Sequence, residues 1–187
     1  EIEAGTIGVD ENGVPTGVFR SEAKEEVYSR LPKLGVEKIK KAIVAACEKY
    51  KTAGITTAET DDFELTRAGD FNDILQAYKE LDEAGELPIR INLMLYLPED
   101  SQQQEFYKYG FKTGDGSDFF RIGKFKLLTD GPLGIRGAAM LEPYADDPST
   151  MGEAVLSQEA LCRKVKDAYD HGLITVCDGM GDRGIYM

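Results

Sequence analysis

The sequence predicts an α/β fold of about four parallel βα units preceded by a β-hairpin. Three observations carry this expectation. Short β-branched or apolar runs alternate with longer segments whose apolar residues recur at helical spacing. Several of the short runs are apolar for most of their length, as strands covered on both faces are. Glycines fall just after the helical segments, at positions 54, 85 and 172, where a helix end favours them.

The elements follow in order. Residues 6–19, TIGVDENGVPTGVF, place two β-prone arms around Asp10-Glu11-Asn12-Gly13, and Asn-Gly between such arms signals a hairpin. Residues 1–20 are therefore expected to form a hairpin appendage, and 21–187 the main body. Helices are predicted over 21–31 and over 36–53, the second with Ile39, Ile43, Ala46, Cys47 and Tyr50 on one face. A strand at 55–60 precedes a helix at 71–83, with Phe71, Ile74, Leu75, Tyr78 and Leu81 inward. Then come a strand at 87–97, a short helix at 99–109 and a strand at 121–129. A helix at 157–171 has Ser157 as N-cap and Glu159 in its first turn, and a last strand covers 173–178. Four such strands fit either an open doubly wound sheet or half of a (β/α)8 barrel, and pattern alone leaves both open.

In either architecture the chemistry sits at the strand C-termini and the loops after them. That singles out Glu59, Thr60, Tyr96, the run from Lys126 to Asp130, and the run from Cys177 to Asp182. Strict alternation places Ile122, Lys124, Lys126 and Leu128 on one side of their strand and Gly123, Phe125 and Leu127 on the other. A buried ammonium is costly unless it is paired or neutralised, so Lys126 is either a snorkelling or salt-bridged lysine or a reactive one.

Composition narrows the partners. Among 187 residues, 34 acidic against 22 basic side chains give a formal charge of −12, which opposes binding to nucleic acid or to an anionic membrane surface. Small molecules and protein partners remain. No apolar run approaches the length of a membrane span, and no basic-then-apolar leader is visible. Cys47, Cys162 and Cys177 are widely spaced in apolar segments and read as buried free thiols, which fits a reducing cytoplasm. The start at Glu1 and the end at Met187 read as those of an excised piece. A half-barrel with open sheet edges would then self-associate.

The loop after Lys126 is the most informative stretch. Asp130-Gly131-Pro132-Leu133-Gly134-Ile135-Arg136, followed by Ala138, Ala139 and the run from Leu141 to Pro148, resembles the signature loop of the amidohydrolase superfamily, specifically amidohydrolase family 3 with its N-substituted formamide deformylase-like enzymes. Gly181-Asp182-Arg183, Gly54-Ile55-Thr56-Thr57 and the hairpin from Asp10 to Val18 resemble the same family in the same order. The resemblance implies a partial (β/α)8 TIM barrel, holding roughly its second to fifth strands, with a small β-sandwich built from both ends of a longer chain. It implies a metal-dependent hydrolase that cleaves the C–N bond of a small amide by metal-activated water, with zinc the usual ion, and a segment that is inactive by itself. Lys126 stands at the family's fourth-strand lysine, typically carboxylated and bound to metal. Asp178 stands where the family usually has a histidine ligand, so the site is either retuned toward harder metals or lost. Asp130, Arg136, Asp182 and Arg183 would be loop residues shaping the pocket, the first three being the candidates for catalytic contacts.

Other readings are weaker. Gly131, Gly134 and Gly137 lack the spacing and the following helix of a phosphate-binding loop. The single histidine, His171, sits at a helix end, so no Ser-His-Asp or Cys-His set can be assembled. A non-catalytic relative that has lost its metal and serves binding or regulation is the alternative, and a free-standing flavodoxin-like binding domain is a third.

Overall fold

A computed structural model of the chain describes residues 5–21, 23, 25–64 and 70–187. Strands β1 (Gly5–Val9) and β2 (Pro15–Ser21) pair antiparallel as a separate two-stranded sheet. Asp10 shapes their turn: its Oδ1 accepts the amides of Asn12 and Val14, each at 2.9 Å, while Gly13 takes φ 79°. Of the helix predicted over 21–31, residues 22 and 24 lie outside the described ones, and α1 occupies Glu25–Tyr28.

The main body alternates helix and strand: α2 (Val36–Thr52), β3 (Thr57–Thr60), α3 (Phe71–Glu83), β4 (Arg90–Tyr96), α4 (Asp100–Tyr107), β5 (Phe120–Leu128), α5 (Gln158–Asp170), β6 (Thr175–Asp178) and the single turn α6 (Asp182–Ile185). Each predicted helix and strand of this region is present, with ends shifted by a few residues. Side-chain caps start two of the helices, since Asp70 accepts the amide of Asn72 at 2.8 Å and Ser157 that of Ala160 at 3.2 Å.

Strand order chooses between the two candidate architectures. The four strands are all parallel and follow one another as β3-β4-β5-β6. A doubly wound sheet reverses direction at a switch point so that helices cover both faces. Here every right-handed crossover steps the same way, which puts the helices α2 to α5 on one face and curls the sheet into half of a barrel.

The core lies on the helix side. Along β4, Ile91, Leu93 and Leu95 are buried while Asn92, Met94 and Tyr96 on the concave side stay partly open. Packed on that covered face are Ile39, Ile43 and Cys47 of α2, the predicted five residues of α3 together with Ala77, and Phe106 of α4. Tyr78 stacks on Phe120, with ring centroids 5.4 Å apart. Ala46 and Tyr50, expected inward on α2, are exposed instead, because the sheet reaches only the narrow stripe Ile39, Ile43, Cys47. Cys162 and Cys177 are likewise exposed, and only Cys47 is the buried thiol the sequence suggests.

One irregularity matters for the site. In the β4–β5 ladder Leu93 pairs with Ile122 but Leu95 pairs with Phe125, so β5 carries one extra residue. The bulge at Gly123 and Lys124 resets the alternation: Phe120 and Ile122 before it and Phe125 and Leu127 after it are all buried against the helices. The strict alternation expected from sequence, which grouped Ile122 with Lys126, therefore fails, and Lys126 faces the concave side beside Tyr96. Glycine is required at the bulge because a Cβ on Gly123 would stand 2.8 Å from the Leu93 carbonyl oxygen. Gly123→Ala is expected to cost about 1–3 kcal/mol in chemical denaturation.

Candidate functional site

Four segments converge at the C-terminal ends of the parallel strands. Lys126, near the end of β5, sits in register with Tyr96 of β4 and Val176 of β6. Its Nζ donates to Asp61 Oδ2 at 2.6 Å, just beyond β3, and lies 3.4 Å from Asp178 Oδ2 at the end of β6. It also lies 5.9 Å from the centre of the Tyr96 ring. Lower on the concave face, Asn92 donates to Glu59 at 3.0 Å. A cleft of about 220 Å³ opens beside Tyr96, Lys126, Leu128 and Val155.

The electrostatics of the cluster follow from this geometry. Burial alone would lower the pKa of Lys126; the hydrogen bond and charge of Asp61, joined by Asp178, outweigh it and hold the amine above its ordinary value. Lys126 is thus an ammonium whose donors are directed at carboxylates, without a lone pair to offer. The structure brings together Lys126 and Asp178, the two residues that the sequence nominates for metal, and adds Asp61. Among the described residues no three His, Cys, Asp or Glu side chains come together as a metal-binding group. A catalytic zinc needs three protein ligands, so the described residues do not by themselves fit a resident metal. His171 is remote in role as well as in sequence: it ends α5 and stacks on Tyr107, with ring centroids 3.9 Å apart.

The other candidates lie in the loops that follow β5 and β6. Asp130 is 3% exposed, and both its oxygens are used: Oδ1 accepts the Met180 amide at 2.8 Å, and Oδ2 accepts Gly181 at 2.7 Å and Ala139 at 2.8 Å. Burial raises its pKa, but these three amides more than compensate and leave it below the ordinary carboxylate value. Asp182 Oδ1 accepts the amides of Leu141 and Arg183, each at 2.8 Å. Arg183 donates to the Gly152 carbonyl at 3.2 Å, so Asp182 and Arg183 each hold the preceding loop by a different strand of contacts. Arg136, in the left-handed region at φ 59°, donates to Asp146 through Nε at 3.4 Å and through Nη2 at 3.1 Å. Asp130, Asp182 and Arg183 join the two loops while Arg136 braces the first within itself, and the glycines of the first loop serve close approach: Gly137 donates to the Pro132 carbonyl at 3.0 Å and accepts from Gly131 at 3.3 Å.

Asp61 is the residue that sequence reasoning passed over. The signal was present, since alternation from Glu59 carries position 61 to the same face, but its partner lies 65 residues away. A separate apolar groove of about 880 Å³ runs between α5 and β6, lined by Leu161, Val165, Tyr169, Cys177 and Ile185.

Comparison with known proteins agrees with this architecture. The amidohydrolase family profile matches residues 1–185. The chain is 29% identical over 180 residues to "Putative amidohydrolase YtcJ" of Bacillus subtilis, covering 96% of this chain and 32% of that protein. It is 27% identical over 188 residues to "Protein LONG AFTER FAR-RED 3" of Arabidopsis thaliana, covering 96% and 31%. Two crystal structures described as uncharacterized metal-dependent hydrolases are similar in fold. The one from Pyrococcus furiosus has a TM-score of 0.75 at 25% identity, over 95% of this chain and 36% of that one. The one from Pyrococcus horikoshii has 0.71 at 27%, over 95% and 34%. This chain spans about a third of the length of these relatives. With a half-barrel sheet, a polar cluster at its strand ends and a family match along nearly its whole length, the chain belongs to the amidohydrolase family.

Proposed function

We propose that this chain is a segment of a metal-dependent hydrolase that cleaves the C–N bond of a small amide, of the N-substituted formamide deformylase-like group. The observation that carries the reading is the convergence of Asp61, Tyr96, Lys126 and Asp178 at the C-terminal mouth of a barrel-type sheet, in a chain of this family. The metal of that enzyme, a divalent ion and by family habit zinc, would take its remaining ligands from parts of the protein outside this segment. Asp130, Arg136, Asp182 and Arg183 set the loops around the mouth and so act as positioning residues. The three free thiols favour a reducing cytoplasm. No described helix is long and apolar enough to cross a membrane. The segment in isolation is proposed to be inactive and to self-associate, since β3 and β6 each have one sheet neighbour among the described residues.

The direct test is to incubate the full-length protein with N-substituted formamides and other small amides, following release of the amine with and without a chelator. Hydrolysis that chelation abolishes and added zinc restores is the expected result. One observation favours a second reading, a non-catalytic relative: Lys126 and Asp178, the two positions nominated for metal, face each other as an ion pair. Full-length protein that binds no divalent metal and hydrolyses none of the amides would overturn the first reading in favour of the second.

A further inference from the structure

The cleft beside Tyr96 is a walled recess at the strand ends. It lies between β4 and β5, the two inner strands of the sheet, and no residue of β3 or β6 lines it. Its outer wall is the strap at residues 154–156. The Val155 amide donates to the Thr129 carbonyl at 2.8 Å, and Ala154 bridges Asp130, so backbone bonds lay the strap along the end of β5. Leu156 packs partly against the core, whereas Val155 lines the recess and is 57% exposed.

The lining selects what can fill it. Tyr96, Pro98, Leu128, Val155 and Leu156 supply apolar surface. The buried charge on its wall, Lys164, already donates to Asp100 and, at 3.2 Å, to the Pro98 carbonyl. A charged group entering the recess would exchange water for these walls at a cost, whereas an apolar group gains by leaving water. The volume of about 220 Å³ is smaller than the roughly 300–1,000 Å³ of pockets that enclose a whole ligand. It suits one side group, the size of a single ring or a short branched chain, and the Tyr96 ring offers an aromatic surface to pack on. Tyr96 and Lys126 belong both to the recess and to the polar cluster, so the two are contiguous.

We propose that this recess is the subsite for the nitrogen substituent of the amide, that it takes a single aromatic ring or a branched apolar chain, and that Val155 sets its size. The inference rests on the hydrolase reading above. A formamide carries only hydrogen on its acyl carbon, so apolar recognition falls to the group on nitrogen. With the carbonyl at the strand-end cluster, that group lies along Tyr96 and Leu128 and ends against Val155.

The test compares N-methyl-, N-benzyl- and N-(naphthylmethyl)formamide as substrates of the full-length protein. The kcat/KM for benzyl is expected to exceed that for methyl by about tenfold or more. Val155→Phe fills the recess and should lower that ratio by about tenfold, while Val155→Ala widens it and should raise naphthylmethyl relative to benzyl. Both variants should keep the wild-type melting midpoint, because Val155 lies outside the core. Binding is read separately by calorimetry with N-benzylmethanesulfonamide, which carries the same substituent and has no carbonyl to attack. Val155→Phe should raise its Kd by about tenfold. Substrate ratios that neither variant moves, or a Kd unchanged in Val155→Phe, would overturn the subsite. A Kd that responds to Val155, with no amide hydrolysed, would overturn the hydrolase reading and leave the recess as a site for an apolar ring.

Discussion

Replacing Asp130 with alanine is expected to destabilise the protein by about 3–5 kcal/mol, the largest effect of any single substitution considered. The side chain is buried, and it satisfies the amides of Ala139, Met180 and Gly181 at 2.7–2.8 Å. Alanine would leave the buried amides of Ala139 and Gly181 and the partly buried amide of Met180 without their acceptor, and a void at the junction between the loops that follow β5 and β6. Asparagine should recover part of the loss, because its carbonyl oxygen replaces one acceptor while its NH2 group meets N–H donors. The effect depends on pH with a definite sign. The folded-state pKa of Asp130 lies below its unfolded value of about 3.9, so its contribution is fully present above that value and disappears as pH falls through the folded-state pKa. Chemical denaturation at pH 7 and at acid pH, with wild type and Asp130→Asn compared, should show the gap between them narrowing in acid. A gap that is unchanged or wider in acid would sink this account of the carboxylate.

Gly181→Ala is expected to cost about 3 kcal/mol, near the upper end of what an inserted methyl group does in a packed site. A Cβ there would stand 2.0 Å from the Ala139 carbonyl oxygen, a backbone atom that cannot swing away. That same carbonyl accepts the amides of Arg183 at 3.1 Å and Gly184 at 3.3 Å, and Gly181 itself donates to Asp130. Relief of the clash therefore requires the whole junction to open. Because the two substitutions break one junction, a double-mutant cycle of Asp130→Ala with Gly181→Ala should fall well short of additivity. Additive losses would show that the two loops are held independently.

The legible parts of this fold are those set by neighbours in sequence. The apolar spacing of Phe71, Ile74, Leu75, Tyr78 and Leu81 describes one face of a helix, and all five are buried. The turn at Asp10 to Gly13 and the cap at Ser157 were equally readable, because each rests on hydrogen bonds spanning no more than four residues. The width of a helix face was not readable in the same way. Ala46 and Tyr50 fit the periodicity of α2 but lie outside the stripe that the sheet covers. The bulge in β5 escaped as well, since one extra residue is visible only against the register of β4.

The same division applies to the site. The sequence determined that a lysine near the end of a strand is followed by a glycine-rich loop, and that an aspartate ends the last strand, because residue identity and alternation are local properties. Tertiary structure decided what those residues do: the crossover sense that made a half-barrel, the bulge that turned Lys126 to the concave face, and the approach of Asp61 and Asp178 to one ammonium. These rest on strand order and on contacts between residues far apart in the chain, where burial and charge pairing are settled jointly by elements that no local pattern relates.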